Sequence, residues 1–115
     1  MVKNVYYEAR GEPVKGKEAV VHVLLNRIKM PNYPSTVCGN TFMKAQFSWV
    51  GSVGKMTDKK SVELAKAAVY NVISGNSSLG SFPASHFYNP SAARPAWAKK
   101  CTPVAKIGKH SFYKC

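Results

Sequence analysis

Acidic side chains are scarce in this sequence, so a search for acid–base chemistry begins with the five that it contains. Two of them, Glu8 and Glu12, lie close together in the segment YYEARGEP at 6–13. We predict a short helix over 3–10, ended by Gly11, with Glu8 near its C-terminal end. The helix dipole disfavours an anion there, and neighbouring tyrosines favour the neutral form. Glu8 is therefore a candidate general acid that keeps its proton near neutral pH.

The other three acids have structural explanations in the sequence. Asp58 stands in the first turn of a predicted helix, where a negative charge is favourable. Glu63 falls on the exposed face of the same helix, and Glu18 is placed as a first-turn acid of an earlier helix. Glu8 and Glu12 remain, although from spacing alone an ordinary surface glutamate also explains Glu8.

Histidines and cysteines offer a competing kind of site. His22 is expected at the core or edge of an apolar helix, while His86 and His110 lie beside aromatic residues. No HExxH motif, no CxxC pair and no closely spaced histidine pair is present, which disfavours a metal site. A Ser–His–Asp triad is disfavoured because no G-x-S-x-G elbow occurs. We expect neither a metal nor another cofactor.

The three cysteines, Cys38, Cys101 and Cys115, allow at most one disulfide within the chain. The sequence leaves open whether Cys38 pairs with Cys101 or with Cys115. An odd thiol favours a reducing compartment for part of the protein's life.

The helices that must position these residues follow from apolar periodicity. A buried central helix is predicted over 17–29, because apolar side chains cover most of its circumference. A third helix begins with a cap at Thr57-Asp58 and ends near Gly75. Its expected buried stripe consists of Val62, Ala65, Val69, Val72 and Ile73.

The rest of the chain predicts shorter elements. We expect a helical turn at 40–47, a short strand at 85–88, a short helix around Trp97, and a hairpin of 104–107 with 111–113. The predicted fold class is a mostly helical α+β domain with a small hairpin or sheet. A length of 115 residues predicts one domain covering 1–115.

The charge balance indicates an anionic partner. Seventeen Lys and Arg face five acids, which gives a net charge of +12 spread along the chain. This favours nucleic acid, a membrane surface, teichoic acid or lipopolysaccharide without choosing among them. No apolar run reaches the roughly 18 residues that a membrane span needs. The N-terminus also lacks the apolar stretch of a secretory signal.

Several blocks, taken in order, resemble the SleB-like cell-wall hydrolases, a family that includes spore cortex-lytic enzymes and phage lysins. The blocks are YEARGEP at 7–13, GKEAV at 16–20 running into LNR at 25–27, YPSTVCG at 33–39, QFSW at 46–49, SHFYNP at 85–90 and KIGKHSF at 106–112. Each block is weak alone, but their order and spacing are specific.

This resemblance implies a truncated lysozyme or lytic transglycosylase fold. It places the catalytic acid at Glu8, the first glutamate of the E-A-R-G-E block. The substrate-binding residues that it indicates are Gln46, Ser48, His86, Tyr88, Asn89 and Glu12. For Glu12, a supporting structural role is the expectation.

The implied substrate is the peptidoglycan glycan strand, cut at the MurNAc–GlcNAc β-1,4 bond. A usual glycosidase needs two carboxylates, and because only one well-placed acid is evident, a lytic transglycosylase that forms 1,6-anhydro ends is favoured. The nearest alternative is a muramidase that hydrolyses the same bond, with Glu8 activating water. An amidase acting at the lactyl–alanine bond, which normally needs zinc, is a further alternative. A small nucleic-acid-binding module is disfavoured, because the bases are scattered rather than gathered on one helix.

Two departures from the family pattern shape the remaining expectations. Only seven residues precede Glu8, so its helix is short, and no separate wall-binding domain is evident, so the positive charge is expected to do the targeting. Together with the missing leader, this favours a monomeric phage endolysin. Such a protein stays in the host cytoplasm until lysis and then acts on the cell wall.

Overall fold

The computed structural model describes residues 1–30, 56–92 and 94–115. This part of the chain holds three α-helices, one 3-10 helix and a three-stranded antiparallel sheet. The bounds are α1 Val2–Ala9, α2 Val14–Ile28, α3 Lys59–Ile73, β1 His86–Tyr88, the 3-10 helix Ala96–Lys99, β2 Thr102–Ile107 and β3 His110–Lys114. The prediction of a mostly helical α+β fold with a small sheet is confirmed. The predicted helical turn at 40–47 lies outside the described residues.

Helix α2 is the buried centre of the molecule, as its apolar pattern predicts. One side of it contributes Val20 and Val21 to a cluster with α1 and α3. Its other side contributes Ala19 and Val23 to a cluster with Phe82, Ala84 and Phe112 beside the sheet. Because α2 packs on both sides, it joins the helical part of the fold to the sheet.

Helix α3 begins as predicted, at an Asp58 cap. The Asp58 carboxylate accepts hydrogen bonds from the backbone N–H of Ser61 (3.1 Å) and from its hydroxyl (2.7 Å). The buried stripe is Ser61, Ala65, Ala68 and Val72, so the expectation of a buried Ile73 is wrong. Ile73 is 61% exposed, since a step of one residue past Val72 turns it about 100° off the stripe.

Glu18 differs from its predicted role. Helix α2 begins at Val14, before the predicted start, so Glu18 lies beyond the first turn and is buried. Its carboxylate accepts hydrogen bonds from the Ser77 hydroxyl (2.8 Å) and the Ser78 backbone N–H (3.0 Å). Burial raises the pKa of Glu18, but these hydrogen bonds outweigh it and leave the pKa below its ordinary value. Glu18 thus fastens α2 to the loop after α3.

The end of α1 is closed in a different way from the prediction. Arg10 at the C-cap is right-handed, and Gly11 is not among the glycines with positive φ. The buried Lys17 ammonium instead donates to the backbone carbonyls of Arg10 and Glu12. A cation of α2 therefore satisfies the carbonyl groups that follow α1.

The sheet has the strand order β1-β3-β2. Strands β2 and β3 form the predicted hairpin, and Gly108 at its turn has φ +58°, which glycine adopts without strain. Strand β1 pairs with β3 in the register Phe87 to Phe112. A disulfide joins Cys101 to Cys115. Neither pairing considered for Cys38 is therefore correct, because these two cysteines meet where the outer ends of the hairpin come together.

Within the described ranges, no helix is both long and apolar enough to cross a membrane.

Candidate active site

Glu8 lies in the last turn of α1, as predicted, and lines a hollow of about 200 Å³. Three other parts of the chain contribute to this hollow: the loop after α1, the end of β1 and the turn of the β2–β3 hairpin. The lining residues are Glu8, Gly11, Glu12, Asn89, Lys109 and His110. The hollow therefore collects residues that are distant in sequence around one carboxyl group.

The Glu8 carboxyl is held in an environment that favours its neutral form. Its Oε1 atom is buried and has no hydrogen-bond partner among the residues that the structure describes. Burial raises the pKa of Glu8 from 4.5 to about 7, and the charge of Arg27 opposes that shift. The raised pKa agrees with the expectation from sequence, with burial as the leading cause. Glu8 can therefore give up and take back a proton near neutral pH.

Glu12 lines the same hollow, but its carboxylate is engaged by the hairpin. Oε1 accepts a hydrogen bond from the Lys109 backbone N–H at 2.8 Å and lies 3.1 Å from Nδ1 of His110. A Cβ atom on Gly108 would collide with the other carboxylate oxygen. The Glu12 side chain is only 8% exposed. These contacts support the structural role expected for Glu12 more than direct substrate contact.

The remaining residues that were predicted to bind substrate do not all lie at the Glu8 hollow. Asn89 lines the Glu8 hollow, whereas Tyr88, the residue before it, lines a second hollow. His86 packs against the Trp97 ring with 4.9 Å between centroids, and burial lowers its pKa to about 4, so it is neutral at pH 7. Gln46 and Ser48 lie outside the described residues.

An aromatic cluster forms the face of the sheet next to these hollows. The Tyr88 ring stacks on Tyr113 at 5.7 Å, and Trp97 meets both rings edge-on at 5.6 and 5.5 Å. Rings of this kind are suitable platforms for the apolar faces of sugars. The 3-10 helix at 96–99 holds Trp97 in this cluster.

Two polar residues of α2 hold the segment that leads into β1, and neither was predicted from the sequence as a site residue. The Asn26 amide donates to the Phe82 and Ala84 carbonyls, each at 2.8 Å. Nε of the buried Arg27 donates to the Ser85 carbonyl at 2.6 Å. The Arg27 charge also lowers the pKa of both Glu8 and His86. The available signal was the pair Asn26-Arg27, which directly follows the apolar residues Val23, Leu24 and Leu25 of the same helix.

Comparison with known proteins places the chain in a family. A family model described as Cell Wall Hydrolase matches residues 11–113. The chain belongs to the cell wall hydrolase family. Glu8 lies just before the matched range, and Glu12, Asn89 and His110 lie within it.

Curated relatives of this cell wall hydrolase are similar over nearly its whole length. A spore cortex-lytic enzyme of Bacillus cereus is 38% identical over 99% of this chain and 42% of its own length. The corresponding enzyme of Halalkalibacterium halodurans is 36% identical over 97% of this chain and 33% of its own length. The chain thus spans between a third and just over two-fifths of the length of these relatives.

Solved structures agree with the fold. The catalytic domain of the germination-specific lytic transglycosylase SleB from Bacillus anthracis matches with a TM-score of 0.80 and 35% identity, covering 99% of this chain and 90% of that domain. The catalytic domain of the Bacillus cereus SleB protein matches with a TM-score of 0.73 and 32% identity, covering 99% and 86%. The predicted family and fold are therefore confirmed.

Within the described ranges, no three His, Cys, Asp or Glu side chains form a group able to hold a metal ion. The polar residues that line the Glu8 hollow are Glu8, Glu12, Asn89, Lys109 and His110.

Proposed function

We propose that this domain cleaves the β-1,4 bond between MurNAc and GlcNAc in peptidoglycan, with Glu8 as its acid–base group. The observation that carries the proposal is a buried carboxyl with a pKa of about 7 lining an open hollow. Membership of the cell wall hydrolase family and similarity to the SleB catalytic domains support the choice of substrate. A carboxyl with this pKa is suited to act as proton donor and then as base.

The distribution of acids favours a mechanism that needs only one carboxyl group. All five acids lie in the described ranges, and the carboxylates of the other four are engaged in contacts with the protein itself. Asp58 caps α3 and Glu18 binds the loop at 77–78, while Glu63 pairs with Lys66 on an exposed surface. Glu12 holds the hairpin turn. A glycosidase with two carboxylates would lack its second group here.

The proposed reaction is a lytic transglycosylation. The Glu8 carboxyl donates its proton to the glycosidic oxygen as the bond from that oxygen to C1 of the muramic acid breaks. The N-acetyl carbonyl of the same sugar stabilises the positive charge that develops at C1. The Glu8 carboxylate then removes the proton of the C6 hydroxyl, and O6 bonds to C1. The products are a 1,6-anhydro end and a free GlcNAc 4-hydroxyl, and no water is consumed.

Mass spectrometry of digested murein tests this reaction. Anhydro ends are lighter by one water than the reducing ends that a muramidase produces. A Glu8→Gln protein is the inactive control, and Glu63→Gln is the matched control because its carboxylate is exposed and remote from catalysis in this proposal. Reducing ends alone would overturn the transglycosylase assignment in favour of hydrolysis. Activity in a folded Glu8→Gln protein would overturn the role of Glu8.

We further propose a phage lysin that acts on the wall after release from the host cytoplasm. The net charge of +12 supports attraction to an anionic envelope. The Cys101–Cys115 disulfide is compatible with final action in an oxidising compartment. Expression of the chain in a bacterial host with and without a co-expressed membrane pore tests this. Lysis without the pore would contradict the proposed release step.

A further inference from the structure

A second hollow lies beside the one that contains Glu8. Its volume is about 470 Å³, and its lining residues are Tyr88, Arg94, Pro95, Ala96, Ala98 and Lys99. The two hollows meet where β1 ends, because its last residue, Tyr88, lines this hollow and the next residue, Asn89, lines the one with Glu8. Its size falls within the roughly 300–1,000 Å³ of small-ligand sites. The reaction assigned to Glu8 does not use it.

The second hollow combines two cations with an apolar surface. Arg94 and Lys99 supply the charge, and none of the five acids of the chain lines the hollow. In the described part of the chain, neither cation takes part in an ion pair. The alanines, the proline and the Tyr88 ring supply apolar contacts. This lining is complementary to a small anionic group attached to apolar units.

We propose that the second hollow binds the peptide stem of the muramic acid next to the cleaved bond. The inference rests on the proposed function, because a strand lying past Glu8 carries such stems on its lactyl groups. A stem combines free carboxylates with alanine methyl groups, which matches both parts of the lining. The planar guanidinium of Arg94 can hold a carboxylate through two parallel hydrogen bonds.

The position of the cations distinguishes this ligand from a long polyanion. The bases that give the chain its charge are scattered, whereas Arg94 and Lys99 line one hollow, which meets the Glu8 hollow at Tyr88 and Asn89. A polymer such as teichoic acid needs an extended basic surface. A peptide stem, which branches from the glycan chain itself, needs only a small hollow near the bond that is cleaved.

A paired-substrate assay tests the inference. Murein free of teichoic acid is solubilised into glycan strands, and half is stripped of its stems with an amidase. The measured quantity is the ratio of kcat/KM for stem-bearing strands to kcat/KM for stripped strands. We expect Arg94→Gln with Lys99→Gln to reduce this ratio about tenfold, mainly through KM, as two partly solvated charge contacts would.

A matched control removes two charges elsewhere. Lys59→Gln with Lys60→Gln neutralises two exposed lysines at the start of α3 that line neither hollow. This control is expected to keep the wild-type ratio. If the ratio fell equally in both double variants, net charge alone would be responsible for the effect. If the ratio were unchanged in the Arg94→Gln, Lys99→Gln protein, the proposal that the hollow binds the stem would be wrong.

A binding measurement keeps the test independent of catalysis. The probe is a soluble muramoyl tetrapeptide titrated calorimetrically into Glu8→Gln protein, with and without the two substitutions at 94 and 99. Affinity that does not depend on these residues would overturn the stem site, whatever the cleavage assays give. Stem binding without cleavage of either strand by wild-type protein would instead overturn the proposed function.

Discussion

The carboxylate of Glu12 accepts a hydrogen bond at 2.8 Å from the backbone N–H of Lys109, a residue 97 positions later in the chain. This contact joins the loop after α1 to the turn of the β2–β3 hairpin. Both segments line the hollow that contains Glu8. The shape of the hollow therefore depends on a glutamate that does no chemistry in the proposed mechanism.

The close fit of Glu12 on the hairpin turn predicts an unusual sensitivity at Gly108. A Cβ there would force the Glu12 carboxylate away from the Lys109 N–H that it binds, and the positive φ adds strain. We expect Gly108→Ala to lower the free energy of unfolding by about 2–4 kcal/mol. Urea denaturation measures this quantity.

Gly75→Ala is the control for that substitution. Gly75 also has a positive φ, +81°, but an added Cβ meets nothing within 4 Å. Gly75→Ala should therefore cost only the backbone strain, about 1 kcal/mol. Equal losses at the two glycines would mean that the Glu12 contact contributes nothing to the turn.

Glu12 itself can be tested through activity. Glu12→Ala removes the acceptor for the Lys109 N–H and the partner of His110, so we expect a loss of about 1–3 kcal/mol in stability. We also expect a lower kcat/KM, because the hollow that contains Glu8 loses one of its lining side chains. Glu12→Gln retains an acceptor oxygen and should recover most of the activity. If Glu12→Gln were as inactive as Glu8→Gln, with both proteins folded, Glu12 would have to be a second catalytic carboxylate.

The raised pKa of Glu8 predicts how activity depends on pH. The proposed acid is active when protonated, and its pKa is about 7. The kcat/KM should therefore fall about tenfold for each unit of pH above that value. Glu8→Gln should lower kcat/KM at least 100-fold at pH 6 and should lose the pH-dependent limb. A wild-type profile that stays flat from pH 6 to pH 9 would exclude Glu8 as the general acid.

The same carboxyl also makes stability depend on pH. An unfolded glutamate ionises near its ordinary pKa of 4.5, whereas folded Glu8 ionises near 7. Wild-type stability conferred by this group is thus complete below about pH 4.5 and is lost as the pH rises through about 7. Relative to the wild type, Glu8→Gln should gain about 2–3 kcal/mol between pH 4 and pH 8. Denaturation curves at these two pH values give the difference, and its absence would mean that Glu8 is hydrated in the folded protein.

The Cys101–Cys115 disulfide predicts a dependence of stability on redox conditions. It joins two cysteines that are separated by 14 positions and flank the hairpin, and a loop of that size contributes roughly 3 kcal/mol. A Cys101→Ser, Cys115→Ser protein should lose about this much, and dithiothreitol should lower wild-type stability to the same level. Cys38→Ser is the control, and it should leave the effect of dithiothreitol unchanged.

The parts of the fold that follow from local sequence were predictable. A cap at Asp58, the turn at Gly108 and the apolar circumference of α2 each depend on a few consecutive residues. The placement of Glu8 near the end of a short helix is of the same kind. Local geometry is specified by local residue types, so these features need no knowledge of distant contacts.

The rest of the site depends on contacts between distant residues. Glu18 finds its partners at Ser77 and Ser78, and Arg27 finds its acceptor at Ser85. Before the fold is known, a buried acid bound by a remote loop has the same local pattern as an exposed first-turn acid. The disulfide pairing among Cys38, Cys101 and Cys115 could not be predicted for the same reason, since pairing follows spatial proximity.

The last residue of β1, Tyr88, lines the larger hollow, and the next residue, Asn89, lines the hollow that contains Glu8. The alignment of β1 is fixed by pairing of His86, Phe87 and Tyr88 with Tyr113, Phe112 and Ser111. A slip by a single position would turn each side chain of β1 to the other face of the sheet and move Tyr88 and Asn89 away from the hollows that they line. Insertions or deletions in this short strand should therefore be far less tolerated in natural variants than changes of residue type.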